Sequence, residues 1–174
     1  MRRGLALPLV LAAAIVAADR ASKAWIEKNI SAMDVWPVIP GFVNVIHVKN
    51  PGMAFSLLST ASPAIRQFVL VGLATLVLAA VAVMFWRSTL RAERWALALV
   101  LGGAVGNLWD RVGRGKVTDF IDAYYGEWHW ATFNVADSAI TTGAILLALS
   151  MLLAPSPGSP AAQQKPEEPA AHVP

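Results

Sequence analysis

Four long apolar runs constrain this chain more than any other feature. They lie at roughly residues 4–18, 67–86, 95–109 and 137–154, more nonpolar length than one small soluble core takes in. The chain has 174 residues, 56% of them hydrophobic and only 14% charged, where a soluble domain carries about 25% charged residues. Only the second run crosses the roughly 30 Å hydrocarbon layer unaided. The other three reach spanning length by drawing in a polar end, at residues 19–23, 107–111 and 134–137. Ionisable groups are costly at membrane depth and normally face a bundle interior where they carry function. The expected fold is therefore an all-α membrane protein. Its four-transmembrane-helix bundle spans about residues 4–23, 66–86, 94–111 and 136–154.

Alternation sets the orientation. With Arg2 and Arg3 cytoplasmic, the short turn holding Arg87, Arg91 and Arg94 is cytoplasmic too, as is the carboxyl tail. All three polar ends then meet at the outer face, as a single site would require. The outer loops also hold Lys23, Lys28, Lys49, Arg66, Arg114 and Lys116, so the basic residues favour this orientation without deciding it. The net charge of +3 gives no nucleic-acid footprint. Cysteine is absent, which removes disulfides, thiolate metal sites, a cysteine nucleophile and the lipid-bearing cysteine of a lipoprotein.

Between the first two runs, at about 36–58, the sequence WPVIPGFVNVIHV predicts a strand, KNPG a turn, and MAFSLL a second extended piece. Together they predict a small extracytoplasmic β-sheet. KAWIEKNI ahead of it reads as an interfacial helical turn. Residues 111–133, with Tyr124, Tyr125, Trp128 and Trp130, read as an interfacial loop, of which about 122–131 forms a lid. Residues 155–174 have no apolar payload and form a disordered cytoplasmic tail after a single domain at 1–154. A cleaved signal peptide is the other reading of the first run, and it would discard Asp19.

Two carboxyls stand at polar ends, Asp119 in GKVTDF and Asp137 in FNVAD. Brought within a few ångströms they cannot both ionise, so the pair keeps one proton and can act as acid and base together. Spacing alone leaves equally open that Asp119 caps a turn and Asp137 caps the fourth helix.

The neighbouring motifs go further. Asp19-Arg20-Ala-Ser-Lys23, Asn50-Pro-Gly52-Met-Ala54-Phe55-Ser56, Gly102-Gly103-Ala-Val-Gly106-Asn107-Leu-Trp-Asp110-Arg111, Gly115-Lys-Val-Thr-Asp119-Phe120 and Phe133-Asn134-Val-Ala136-Asp137-Ser138 occur in this order. Together they closely resemble the bacterial lipoprotein signal peptidase (signal peptidase II) family, from Asp19 to about Ile145. Thr118, where the family often has an aliphatic residue, and the proline-rich tail depart from the pattern. The resemblance implies an aspartic endopeptidase of the bacterial inner membrane with Asp119 and Asp137 as its catalytic dyad. Its substrate would be a prolipoprotein, cut before a diacylglyceryl-modified cysteine. It also implies no metal or organic cofactor, a monomer in contact with membrane lipid, and inhibition by the cyclic lipopeptide globomycin.

Around the dyad, Asn107 and Asn134 offer amides that can orient carboxyls or hold substrate backbone. Asn50 with Gly52 marks a place where an extended chain can approach closely, and Ala136 belongs to the same motif as Asp137. Asp19–Lys23, four residues apart on a helix, and Asp110–Arg111 are read first as structural ion pairs and second as substrate-positioning groups. Arg111 also suits a lipid phosphate. Gly102, Gly103 and Gly106 suit close helix packing. A serine–lysine pairing of Ser56 or Ser138 with Lys23 has nothing to bring it together. His47, expected in the sheet, and His129, expected in the loop, lack metal-ligand spacing. Two non-enzymatic rivals remain: a proton or ion path through Asp19, Asp110, Asp119 and Asp137, and an assembly factor whose aspartates only cap helices.

Overall fold

The structure, a computed structural model, describes residues 4–52 and 62–153. Four long helices and four strands follow in the order α1 (Ala6–Asn29), β1 (Val35–Ile39), β2 (Val43–Asn50), α2 (Pro63–Arg87), α3 (Arg91–Arg114), β3 (Val117–Tyr125), β4 (Trp128–His129) and α4 (Val135–Leu152). The protein is thus mostly helical with one small antiparallel sheet. Arg2, Arg3, the MAFSLL piece and the tail lie outside the described residues.

Local chemistry sets the helix ends. Ser62 caps α2 by accepting from the Ile65 amide, with Pro63 in the first turn where a missing N–H costs nothing. α3 stops at Gly115, which takes the left-handed conformation at φ 71° and packs against Gln67. α4 opens with a capping box in which the Asn134 side chain accepts from the Asp137 amide and Asp137 accepts from the Asn134 amide. The N-cap is therefore Asn134, and Asp137 sits one turn inside.

Three expectations need correcting. KAWIEKNI is not a separate interfacial turn but the last two turns of α1, because Ile26 and Ile30 bury against Phe120 and carry the helix on. The sheet turns earlier than expected: WPVIPGFVNVIHV is itself a hairpin folded at Pro40-Gly41, with Val35 opposite Ile46, and KNPG falls at the end of β2. Residues 111–133 are not a loop. β3 pairs with β2, β4 with β3, and the sheet runs β1-β2-β3-β4. The expected lid is mostly β-hairpin.

α3 is the central helix, packed on α1, α2 and α4. Its glycines set the spacing. A Cβ on Gly103 would stand 2.3 Å from the Ala136 carbonyl oxygen, and one on Gly102 2.7 Å from that of Ala12. Small residues let membrane helices approach like this. Gly103→Ala is expected to lower stability by about 1–3 kcal/mol, since the obstructing atom is backbone. Gly113→Ala, with nothing within 4 Å, should hold or slightly raise it. Thermal unfolding in detergent checks both, and equal midpoints would dismiss the packing argument.

Apolar clusters close the bundle at both ends, Ile26, Ile30 and Phe120 beneath the sheet and Phe85, Leu97 and Ala98 at the other end. Between them runs a buried polar layer of Asp19, Lys23, Asp110 and Asn134. α2 and α4 are long and apolar enough to cross a membrane, and α2 turns Phe68, Leu73, Leu76 and Val83 outward. That exposed apolar girdle suits lipid rather than water.

Candidate active site

The polar layer opens at one side into a cavity of about 630 Å³ whose wall includes Asn50, Asn107, Arg111, Asp119, Trp130 and Asp137. Asp119 comes from near the start of β3 and is 2% exposed. Asp137 comes from the first turn of α4 and is half-buried. Two elements of different kinds thus deliver two carboxyls to one wall.

Asn134 links them. Its side-chain Nδ2 donates to Asp119 Oδ1 at 2.7 Å, while its backbone N–H donates to Asp137 Oδ2 at 3.3 Å. The remaining oxygens are also held. Asn50 Nδ2 donates to Asp119 Oδ2 at 2.9 Å, and Asn107 Nδ2 donates to Asp137 Oδ1 at 2.7 Å. The Gly52 amide donates to Asn50 Oδ1 at 2.8 Å, which turns the Asn50 amide nitrogen toward Asp119. Asn50 therefore acts on a carboxyl, a role its sequence context did not suggest. Burial pushes the Asp119 carboxyl above its ordinary range and the nearby Asp137 charge adds to this, while the hydrogen bonds from Asn50 and Asn134 pull the other way.

Behind the carboxyls lies an ion cluster whose members are buried apart from the part-buried Arg20. Lys23 Nζ stands 2.8 Å from Asp19 Oδ2 and 2.8 Å from Asp110 Oδ2, and Arg20 also pairs with Asp110. The expected Asp19–Lys23 pair is present. The expected Asp110–Arg111 pair is not, because successive residues on a helix point about 100° apart. Lys23 connects forward by donating to Asn107 Oδ1 at 3.1 Å. Asp19 Oδ1 accepts from the Ala136 amide at 3.1 Å, so Ala136 contributes backbone, one residue before Asp137. This use of Asp19 and Lys23 ties α1 into the site and speaks against a removable first segment.

Arg111 faces the cavity, and its Nη1 is buried without a hydrogen-bond partner among the described residues. Ser138 donates to the Asn134 carbonyl and Lys23 is already engaged, so the serine–lysine arrangement does not form there; Ser56 is outside the described residues. His47 bonds the Ile30 carbonyl from β2, and His129, on β4 rather than in a loop, bonds Asp122. Burial opposes ionisation of Asp122, but bonds from His129 and Asn44 outweigh it and hold that carboxyl below its ordinary range. Asp122 and Gln67, which donates to the Arg111 carbonyl at 2.8 Å, were not anticipated from the sequence. Asp122 could have been separated from Asp119, since three residues along a strand lies on the opposite face.

A family model described as signal peptidase (SPase) II matches residues 11–153. The chain belongs to the signal peptidase II family. It is therefore a peptidase. Among curated relatives, the lipoprotein signal peptidase of Solibacter usitatus is 47% identical over 144 residues, covering 82% of this chain and 88% of that one. The lipoprotein signal peptidase of Desulforapulum autotrophicum is 40% identical, covering 83% and 90%. Among solved structures, a bacterial membrane enzyme determined by the in meso method at 1.9 Å resolution superposes with a TM-score of 0.73 at 29% identity, covering 86% of this chain and 94% of that one. As a signal peptidase II, the chain places the five motifs noted in its sequence around the cavity or in the helix contacts beside it, as far as the described residues extend.

Proposed function

We propose that this signal peptidase II is an aspartic endopeptidase that removes the signal peptide from prolipoproteins just before a diacylglyceryl-modified cysteine, using Asp119 and Asp137. The observation that carries this reading is the single residue Asn134 holding both carboxyls on one cavity wall. With one proton between them, the ionised carboxylate takes a proton from water as the water oxygen attacks the peptide carbonyl carbon. The protonated partner hydrogen-bonds the carbonyl oxygen, and a proton passes to the nitrogen as the C–N bond breaks. Asn50, Asn107 and Asn134 keep the carboxyls oriented throughout. Arg111 lines the approach for the substrate backbone, its guanidinium a donor to a peptide carbonyl, while Gly52 packs against Leu70 and serves the site through its amide bond to Asn50.

All four helices span the membrane in this reading, with both termini cytoplasmic and the sheet at the outer face of the bacterial inner membrane. α1 and α3 qualify only because they bury Asp19, Lys23 and Asp110 inside the bundle. The substrate's acyl chains then stay in the bilayer while its peptide bond reaches the polar layer, and a globomycin-type lipopeptide would compete for the same cavity. An ion path is disfavoured, since Phe85, Leu97 and Ala98 fill the bundle beyond the polar layer. The test is cleavage by purified protein of one prolipoprotein with and without its diacylglyceryl group. Cutting of the lipidated form at least about 100-fold faster is expected, because anchoring in the bilayer replaces a bimolecular search. Equal rates would remove lipid recognition from the proposal.

A further inference from the structure

We propose that Glu27 is a positioning residue for Asp119 and Asn50, clamping the far face of the β2–β3 pair. The inference rests on reading Asp119 as a reacting carboxyl. Lys49 stands opposite Thr118 in that pair, and Asn50 and Asp119 follow them along the two strands. Side chains alternate across a strand, so Lys49 and Thr118 share one face while Asn50 and Asp119 share the other. On the cavity face, Asn50 donates to Asp119. On the far face, Thr118 donates its hydroxyl to Glu27 Oε1 at 2.6 Å, and Lys49 Nζ donates to the Thr118 oxygen at 2.9 Å. Lys49 and Arg114 both ion-pair with the same carboxylate. One side chain from α1 thus joins β2, β3 and the end of α3.

Thr118 decides what this clamp is for. It is 1% exposed, and a buried hydroxyl needs a partner that an aliphatic residue there would not. Glu27 meets that need and in doing so fixes the strand residue immediately before Asp119. Lys49 and Arg114 are 40% and 48% exposed, so solvent weakens their share, and the sheltered Glu27–Thr118 bond is the firmer one. Glu27 lies a turn beyond the span at about 4–23. Burial works against its charge, but Lys49, Thr118 and Arg114 hold its carboxyl down at about 2. It stays ionised at working pH, so any change in pH profile on removing it belongs to the dyad.

The experiment compares Glu27→Ala, Glu27→Gln and Asp119→Asn in the full-length protein, reading kcat, KM and pH profile with the lipidated prolipoprotein. Glu27→Ala is expected to lower kcat about tenfold with KM within about twofold, since the substrate's own contacts are untouched. Its acid limb should move up, because a looser Asn50 bond no longer lowers the Asp119 pKa. Glu27→Gln, which keeps an acceptor for Thr118, should recover most of kcat. A wild-type kcat and profile in folded Glu27→Ala overturns the clamp, and so does a Glu27→Gln no better than Glu27→Ala. Should Glu27→Ala not accumulate, Thr118→Val breaks the same bond and leaves no orphaned hydroxyl, and wild-type kinetics there would also overturn it. Asp119→Asn separates the two levels of the argument. If it still cuts, the dyad reading fails; if it is inactive while Glu27→Ala is normal, only the clamp fails.

Discussion

Asp119→Asn and Asp137→Asn are each expected to reduce prolipoprotein cleavage by at least about 10³-fold while leaving the fold intact, because each removes half of a proton-transferring pair. Asparagine keeps the shape of the carboxyl. With one carbonyl oxygen in place of two, position 119 keeps an acceptor for either Asn134 or Asn50, and position 137 keeps one for either Asn107 or the Asn134 amide. What is lost is the titrating proton. The double variant should be no worse than either single one, since residues acting as a unit are not additive. Unchanged unfolding midpoints with near-zero turnover would support the dyad, and a normal rate from either variant would end it. The pH profile supplies a second arm. Burial and the Asp137 charge raise the Asp119 carboxyl, and the Asn50 bond partly offsets them. Asn50→Leu removes a stabiliser of the charged form, so the pKa rises further and the acid limb of kcat moves to higher pH. A limb that stays put, or moves down, would show that Asn50 does not act on the reacting pair. The limbs themselves belong to the pair and not to either aspartate.

The helices were legible because an apolar run needs only its own residues to declare itself. So were the polar ends, because a charge next to such a run is out of place without a partner. β3 was not. VTDFIDAYY is covered on both faces over most of its length, so it lacks the alternation that marks a half-exposed strand, and its two aspartates read as loop. The end of α1 was hidden for a different reason: Trp25, Glu27 and Lys28 look interfacial until the sheet arrives to cover Ile26 and Ile30. The asparagines were legible as amides near the carboxyls, but not their assignments. Asn134 reads as a helix cap from N-x-x-D alone, and its second bond, to Asp119, exists only because β3 passes within 2.7 Å. Asp110 shows the limit most sharply, since its sequence neighbour Arg111 points elsewhere and its partners come from α1, about ninety residues away.

Lys23→Met is expected to be the most destabilising single change in the described residues, costing about 3–5 kcal/mol, because it strands buried carboxylates whose partner is gone. Lys23 is fully buried and ion-paired to both Asp19 and Asp110. Methionine has nearly the same length and no charge, so packing changes little and the loss reports electrostatics. Asp110 retains Arg20. Among the described residues the Asp19 carboxylate retains only the Ala136 amide, and it lies fully buried beside Gly106. A second variant isolates the cause. Lys23→Met with Asp19→Asn neutralises the orphan, and it should recover at least half of the lost stability, since exchanging a whole buried pair for neutral groups is often tolerated. Recovery would mark the cost as that of an unpaired charge; none would mean that lysine's packing matters instead. Even the recovered protein should turn over slowly. Lys23 also donates to Asn107, which donates to Asp137, and without that first bond the Asn107 oxygen keeps only the longer Asn134 bond at 3.4 Å, so the amide is held less firmly against the carboxyl it orients. The ion cluster and the site would then be one device, in which a charge buried for architecture also aims a group used in chemistry.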